Sequence, residues 1–201
     1  MSLACIDYGA GNLRSITNGL RKVGATVEVV DEPRKLKEAS GIILPGVGSF
    51  GDAMVKLREF KPAIVDAIEA GTPFLGLCLG IQVVFEGSEE SPGVEGLGLF
   101  KGRCVRFGRG LKVPHMGWNT ITKVTDIPLL AGVGDGSFFY FVHSYYVVPK
   151  NKDAVAATTE YGVEFPSVIS QGHVYATQFH PEKSSEAGLR ILKNFVGTVR
   201  R

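Results

Sequence analysis

Residues 71–87 read GTPFLGLCLGIQVVFEG. The apolar run over 72–78 predicts a buried strand, and 79–87 predicts a helix that follows it directly. Between them stands Cys78, with Gly76 and Gly80 two residues away on either side. A cysteine packed in a core needs no such neighbours. A residue held on a sharp strand-to-helix turn does, because side chains at the flanking positions would collide. The pattern G-x-C-x-G is that of a nucleophile elbow with sulfur in place of the usual serine oxygen. Such a turn lifts the thiol clear of the sheet and sets it at a helix N-terminus, where the positive end of the dipole favours thiolate over thiol. The backbone N–H groups that follow, Leu79 first, are free to face a developing oxyanion. A plain structural cysteine is the competing reading; the paired glycines and the change to helix favour the nucleophile.

Outward from the elbow, the first half of the chain alternates strand and helix. LACID (3–7) is a short apolar run, and NLRSITNGLRKVG (12–24) carries Leu13, Ile16 and Leu20 at helical spacing. ATVEVV (25–30) and GIILP (41–45) read as strands; Phe50, Ala53, Met54 and Leu57 share one helical face. Pro62 fits the first turn of a further helix, where its missing N–H costs nothing. Alternation of this kind builds a parallel sheet covered on both faces. The second half is β-rich: LFKGRCVRF (99–107), SFFYFVHSYYVV (137–148), DAVAATTEYG (153–162) and HVYATQFH (173–180) lie between glycines and polar turns. These predict antiparallel hairpins added to the parallel core. At the end, Ser184 or Ser185 can cap a helix that turns Leu189, Leu192, Phe195 and Val196 inward. The expected fold is an α/β three-layer α/β/α sandwich with a mixed, mainly parallel sheet and antiparallel strands in its second half, residues 1–201 forming one domain.

Bulk composition excludes several classes. Apolar residues make up 44% and charged residues 21% of the 201, and 22 Lys+Arg against 20 Asp+Glu leave a net charge of +2. That excess gives no reason to expect nucleic acid or an anionic membrane as partner. No apolar stretch is long enough to span a bilayer, and the N-terminal residues lack a signal-peptide pattern. Three scattered cysteines make neither a disulfide framework nor a metal site, so a reducing, cytoplasmic setting is expected. Cys5 and Cys104 lack the elbow setting. DYGAGNL (7–13) begins like a dinucleotide fingerprint, but Arg14 stands where the third glycine belongs, and no cofactor is expected.

A thiol nucleophile needs a base oriented by a third group. ATQFHPEKS (176–184) places His180 at the end of a β-rich run, with Pro181 holding it extended and Glu182 at i+2. On an extended chain, positions i and i+2 point to one side about 7 Å apart, so Glu182 can accept a hydrogen bond from one imidazole nitrogen and leave the other for Cys78. The bland alternative is a polar turn before a helix. His115 and His143 sit in aromatic surroundings and can line a site but have no acidic neighbour at i±2; His173 reads as a solvated hairpin turn. ILPGVGSFGD (43–52) follows a buried strand, and its Pro-Gly-x-Gly turn presents backbone amides near a crevice. A Gly-rich turn without a ligand fits the spacing equally.

PGVGSFGDAM (45–54), GLCLGIQVVFE (76–86) and TQFHPEKS (177–184), in this order and spacing, resemble the class I (triad-type) glutamine amidotransferases over essentially the whole chain. PHMGWN (114–119) and YFVHSYY (140–146) narrow the resemblance to the glutaminase subunits of imidazole glycerol phosphate synthases, from histidine biosynthesis. The resemblance implies that Cys78 attacks the side-chain amide of L-glutamine, that His180 moves the protons and that Glu182 orients it. It puts the oxyanion at Val47, Gly48 and Leu79, and the glutamine against Gly46, Gly48, Gln82, Glu90 and the backbone of His143, Ser144 and Tyr145, with Glu89 a rival for Glu90. In this family the loop over 45–48 is held to complete the oxyanion hole only after a backbone flip; one missing donor is worth about 3 kcal/mol, roughly a hundredfold in rate. The user of the ammonia would be a separate (β/α)8-barrel cyclase chain, forming a heterodimer that makes imidazole glycerol phosphate and aminoimidazole carboxamide ribotide. Asn12, Trp118, Tyr140 and Lys183 match positions near that interface. Two other readings stay open: another amidotransferase or a stand-alone cysteine hydrolase on the same scaffold, and a non-catalytic binding module.

Overall fold

In the computed structural model, which describes residues 2–199, strands and helices alternate through the first half: β1 (Leu3–Ile6), α1 (Leu13–Lys22), β2 (Val27–Val30), β3 (Gly41–Leu44), α2 (Phe50–Leu57), α3 (Phe60–Glu69), β4 (Phe74–Leu77) and α4 (Leu79–Val83). The second half adds β5 (Gly102–Arg106), β6 (His115–Thr120), β7 (Thr122–Lys123), β8 (Phe138–His143), β9 (Tyr145–Pro149), β10 (Val155–Glu160), β11 (Glu164–Gln171), β12 (Val174–Thr177) and α5 (Ser185–Val199). The main sheet has the order β2-β1-β3-β4-β12-β11-β10-β7. Its β2-β1-β3-β4-β12 part is parallel, and β11, β10 and β7 continue it antiparallel.

Successive residues of a strand face opposite sides of a sheet, and here both sides are apolar. Ala4, Ile6, Ile42, Leu44, Phe74 and Ala176 face a core closed by α2 and α3 through Phe50, Met54, Leu57 and Ile64. Leu3, Cys5, Ile43, Leu75, Leu77 and Tyr175 face the other core, closed by α1 and α5 through Ile16, Leu20, Ile191, Leu192 and Phe195. Two-sided burial is why these strands read as unbroken apolar runs. The three-layer α/β/α expectation and the mixed sheet hold. No helix among the described residues is long and apolar enough to cross a membrane.

Local expectations needed four corrections. The helix after the elbow stops at Val83 instead of running to 87, because the carbonyls of Val83, Val84 and Phe85 accept from Leu97, Phe100 and Gly98 of the following loop. The β-rich second half pairs largely over distance, β5 with β9 and β6 with β8, and only β10-β11-β12 runs as consecutive hairpins. Leu189 is only half buried, and Ile191 takes its inward place on α5. Ser184 does not cap that helix with its side chain: its hydroxyl donates to His180 O at 2.6 Å and accepts from Tyr140 N at 2.9 Å. Pro62 does fall in the first turn of α3, which begins two residues earlier at Phe60.

Candidate active site

β3, β4 and β12 are parallel neighbours in the sheet, and the three stretches singled out above leave their carboxyl ends side by side. A crevice outside the carboxyl ends of parallel strands is where this architecture takes ligands. Here one cavity of about 320 Å³ is lined by Val47, Gly48, Cys78, Leu79, Gln82, Glu90, Pro114, Val142, His143, Ser144, Tyr145 and His180. Cys78 and His180, 102 positions apart, thus line the same cavity.

Cys78 occupies the elbow with φ 55° and ψ −107°, a conformation that L side chains rarely adopt. The flanking glycines are demanded by contact. A Cβ on Gly76 would lie 2.8 Å from Gly80 O, and one on Gly80 would lie 2.5 Å from Leu44 O. Cys78 N donates to Thr177 O at 2.9 Å, carrying the β4–β12 pairing past the strand end and fixing the turn. The thiol donates to Val142 O at 3.8 Å.

His180 is buried and extended (φ −97°, ψ 95°), and its N–H donates to Tyr140 O at 2.9 Å. Its Nδ1 lies 2.8 Å from Glu182 Oε1, with both side chains almost wholly buried. The route to that contact differs from the extended-chain argument: residues Pro181–Lys183 form a turn of 3-10 helix that folds Glu182 back under the ring. With Nδ1 bonded and the thiol turned to Val142, Nε2 has no hydrogen-bond partner of ordinary geometry among the described residues. Burial pushes His180 toward the neutral form, but the nearby Cys78 and then Glu182 outweigh it and raise the imidazole from 6.5 to about 9.

The surrounding expectations fare unevenly. Gly48 lines the cavity with φ +96°, and Val47 beside it is exposed. Gly46 is set back from it: buried behind the loop, a Cβ there would lie 2.6 Å from Leu79 Cβ and 2.9 Å from Tyr8 Oη, so its glycine serves close packing. Gln82 is buried and its amide donates to Tyr145 O at 3.1 Å and to Gln178 Oε1 at 3.3 Å. Of the two neighbouring acids, Glu90 lines the cavity and accepts from Phe50 N at 2.7 Å, whereas Glu89 accepts from Arg106 N. Pro114 and Val142 complete the wall; both lie inside quoted motifs, yet nothing in their residue type marked them. His173 is half buried in its hairpin turn and lies 2.8 Å from Ile68 O, so it is not merely solvated. Cys5 and Cys104 are buried core thiols, with Cys5 pushed up to about 12 by burial.

Away from the cavity, Trp118 is 53% exposed and lies opposite Tyr140 in the β6–β8 pair, with Lys183 Nζ 5.8 Å from the Tyr140 ring. Exposed Met116 and Phe138 extend this apolar face. Asn12, also exposed, caps α1, accepting from Ser15 N at 3.2 Å.

Chemically, the cavity offers a thiol on a strained backbone, a protonatable imidazole held by a carboxylate, and backbone around Gly48 and Leu79. Comparison with known proteins agrees. The family model "Glutamine amidotransferase class-I" matches residues 4–199. "Imidazole glycerol phosphate synthase subunit HisH" of Methanothermobacter thermautotrophicus is 54% identical over 98% of this chain and 99% of its own. The protein of that name from Halobacterium salinarum is 50% identical over 97% and 92%. In fold, the structure of PurLQS from Thermotoga maritima superposes with a TM-score of 0.78 at 21% identity, covering 98% of each chain. The chain belongs to the class-I glutamine amidotransferase family, and within it to the HisH subunits of imidazole glycerol phosphate synthase.

Proposed function

We propose that this chain is the glutaminase subunit of an imidazole glycerol phosphate synthase, hydrolysing L-glutamine to glutamate and ammonia for use by a (β/α)8-barrel cyclase chain in histidine biosynthesis. The observation that carries the reading is the strained Cys78 sharing one cavity with a His180–Glu182 pair. In the reaction, the sulfur, its proton held on the charged His180, turns from Val142 O and attacks the side-chain amide carbon of glutamine. The carbonyl oxygen of the tetrahedral adduct is stabilised by backbone N–H groups at Leu79 and at Val47 and Gly48. His180 returns its proton to the departing nitrogen, the C–N bond breaks, and ammonia leaves a glutamyl thioester. Water, activated by the now neutral imidazole, cleaves the thioester to glutamate and restores the thiol. Glu182 keeps the ring oriented and stabilises its charged form throughout.

Gln82, Glu90 and the polar backbone over 143–145 hold the glutamine, Glu90 facing its amino group. The exposed face of Met116, Trp118, Phe138 and Tyr140, with Lys183 beside it, lies next to the cavity wall at Val142 and is where the cyclase docks. The assembled enzyme tests the whole reading. Cys78→Ala abolishes product formation from glutamine while added ammonium still supports it, and equal loss with both nitrogen sources overturns it.

A further inference from the structure

Two histidines that the triad does not use are buried together, His143 in the cavity wall and His115 behind it. His115 Nδ1 lies 2.9 Å from His143 Nε2, inside a box of aromatic rings. His115 is stacked between Tyr161 (centroids 4.1 Å) and Phe141 (5.0 Å), and Phe107 and Phe165 pack against both imidazoles. No carboxylate pairs with either ring among the described residues; the titratable groups around them are Tyr161, stacked on His115, and Cys78, Glu90, Tyr145 and His180, which line the cavity with His143.

The bond directions follow from what each atom can do. His143 Nδ1 lies 2.8 Å from Tyr145 O, which only accepts, so Nδ1 carries the hydrogen. A neutral imidazole has one N–H, so His143 Nε2 is an acceptor and His115 Nδ1 must donate to it. His115 Nε2 is then bare, and Asn119 Nδ2, a donor, stands 3.2 Å away. Asn119 is itself oriented: Nδ2 donates to Glu160 O at 2.9 Å and Oδ1 accepts from Thr120 N at 2.8 Å. One direction runs through the whole chain, Asn119 to His115 to His143 to Tyr145 O. A second proton on either ring would set two donors face to face, and burial independently holds both imidazoles neutral, His115 at about 4 and His143 at about 3.

The end of this chain is the cavity wall. Tyr145 O also accepts from Gln82, and His143 stands between Val142, whose carbonyl takes the Cys78 thiol, and Ser144. We propose that His115, which does not touch the cavity, is a positioning residue: its Nδ1–H locks His143 as the uncharged Nδ1–H tautomer and thereby fixes the wall over 142–145 against which glutamine binds. An uncharged His143 also leaves the proton to His180, because two imidazoliums at one cavity would repel. This role rests on the glutaminase reading above.

The test has two arms on the full chain. Long-range proton–nitrogen NMR of the wild type needs no turnover: both His115 and His143 are expected as Nδ1–H tautomers, and an Nε2–H form of His143 overturns the proposal. In the assembled enzyme, His115→Phe keeps the stacking but cannot donate; KM for glutamine is expected to rise about tenfold with kcat much less changed. His115→Gln, able to donate and accept, restores most of that loss. Unchanged KM in His115→Phe, or no rescue by His115→Gln, refutes the role; if His115→Phe does not fold, the tautomer and His115→Gln against His115→Ala decide. Failure of wild-type Cys78 to be acylated by glutamine would count against the glutaminase reading, whereas the tautomer assignment stands or falls separately.

Discussion

The substitution Glu182→Gln removes a charge while leaving a hydrogen bond in place. The amide oxygen of the new side chain still accepts from His180 Nδ1–H, where Glu182 Oε1 now sits 2.8 Å away in a site from which water is excluded. The rise of His180 from 6.5 to about 9 corresponds to about 3 kcal/mol in favour of the imidazolium, won against burial by Cys78 and Glu182 together. Without the carboxylate, burial regains influence, and the proton affinity of His180 should fall by a factor of about ten or more. Loss of the orienting charge should lower kcat for glutamine about a hundredfold or more. Stability moves with it in a defined direction. A group whose folded value lies above its unfolded one stabilises the fold fully below pH 6.5, and that contribution is lost as pH rises through about 9. Urea unfolding below 6.5 and above 9 should therefore show an alkaline loss in the wild type that is reduced in Glu182→Gln by the carboxylate's share, the part due to Cys78 remaining. An NMR titration that finds His180 unmoved in Glu182→Gln, with an undiminished alkaline loss, would refute the electrostatic account of the pair.

At the elbow, Gly80→Ala puts a Cβ 2.5 Å from Leu44 O and forces backbone to move. A loss of about 1–3 kcal/mol in a thermal melt is expected. Glutaminase activity should fall about a hundredfold through misplacement of Cys78, and wild-type activity would contradict the steric reading. Acid stability should be set partly by the histidine pair. The unfolded chain takes up protons below 6.5, but folded His115 and His143 resist until about 4 and 3, so stability falls as pH drops through that window. Its magnitude is on the order of several kcal/mol, and His115→Phe should flatten the acid limb by about one proton; an unaltered limb would show that the pair does not titrate with unfolding.

How far the chain could be read from its residues varied with the distance over which each feature is decided. The elbow was legible because its constraints are local: the two glycines answer to clashes within the turn itself and to one neighbouring strand. The His180–Glu182 contact was legible in outcome but not in route, since a 3-10 turn does what an extended strand was expected to do. Apolar runs marked β1, β3 and β4 as strands covered on both sides, and the helical faces of α1 and α2 marked the layers, whereas β12 read only as a hairpin strand and in fact also pairs parallel with β4.

What residue order could not supply is adjacency. That β4 lies between β3 and β12, so that Cys78, Gly48 and His180 open into one crevice, follows from sheet order, which is settled by packing of whole layers. The same holds for the placement of Glu90 rather than Glu89 on the cavity wall, where it accepts from Phe50 N forty residues away, and for the retreat of Gly46 behind Leu79. It holds most for His115 and His143, whose pairing across the β6–β8 register turns two unremarkable histidines into one directed hydrogen-bond chain. Local chemistry is written in neighbouring residues because sterics and short hydrogen bonds act over a few bonds; the meeting of distant groups depends on burying apolar faces together, which no short stretch determines alone.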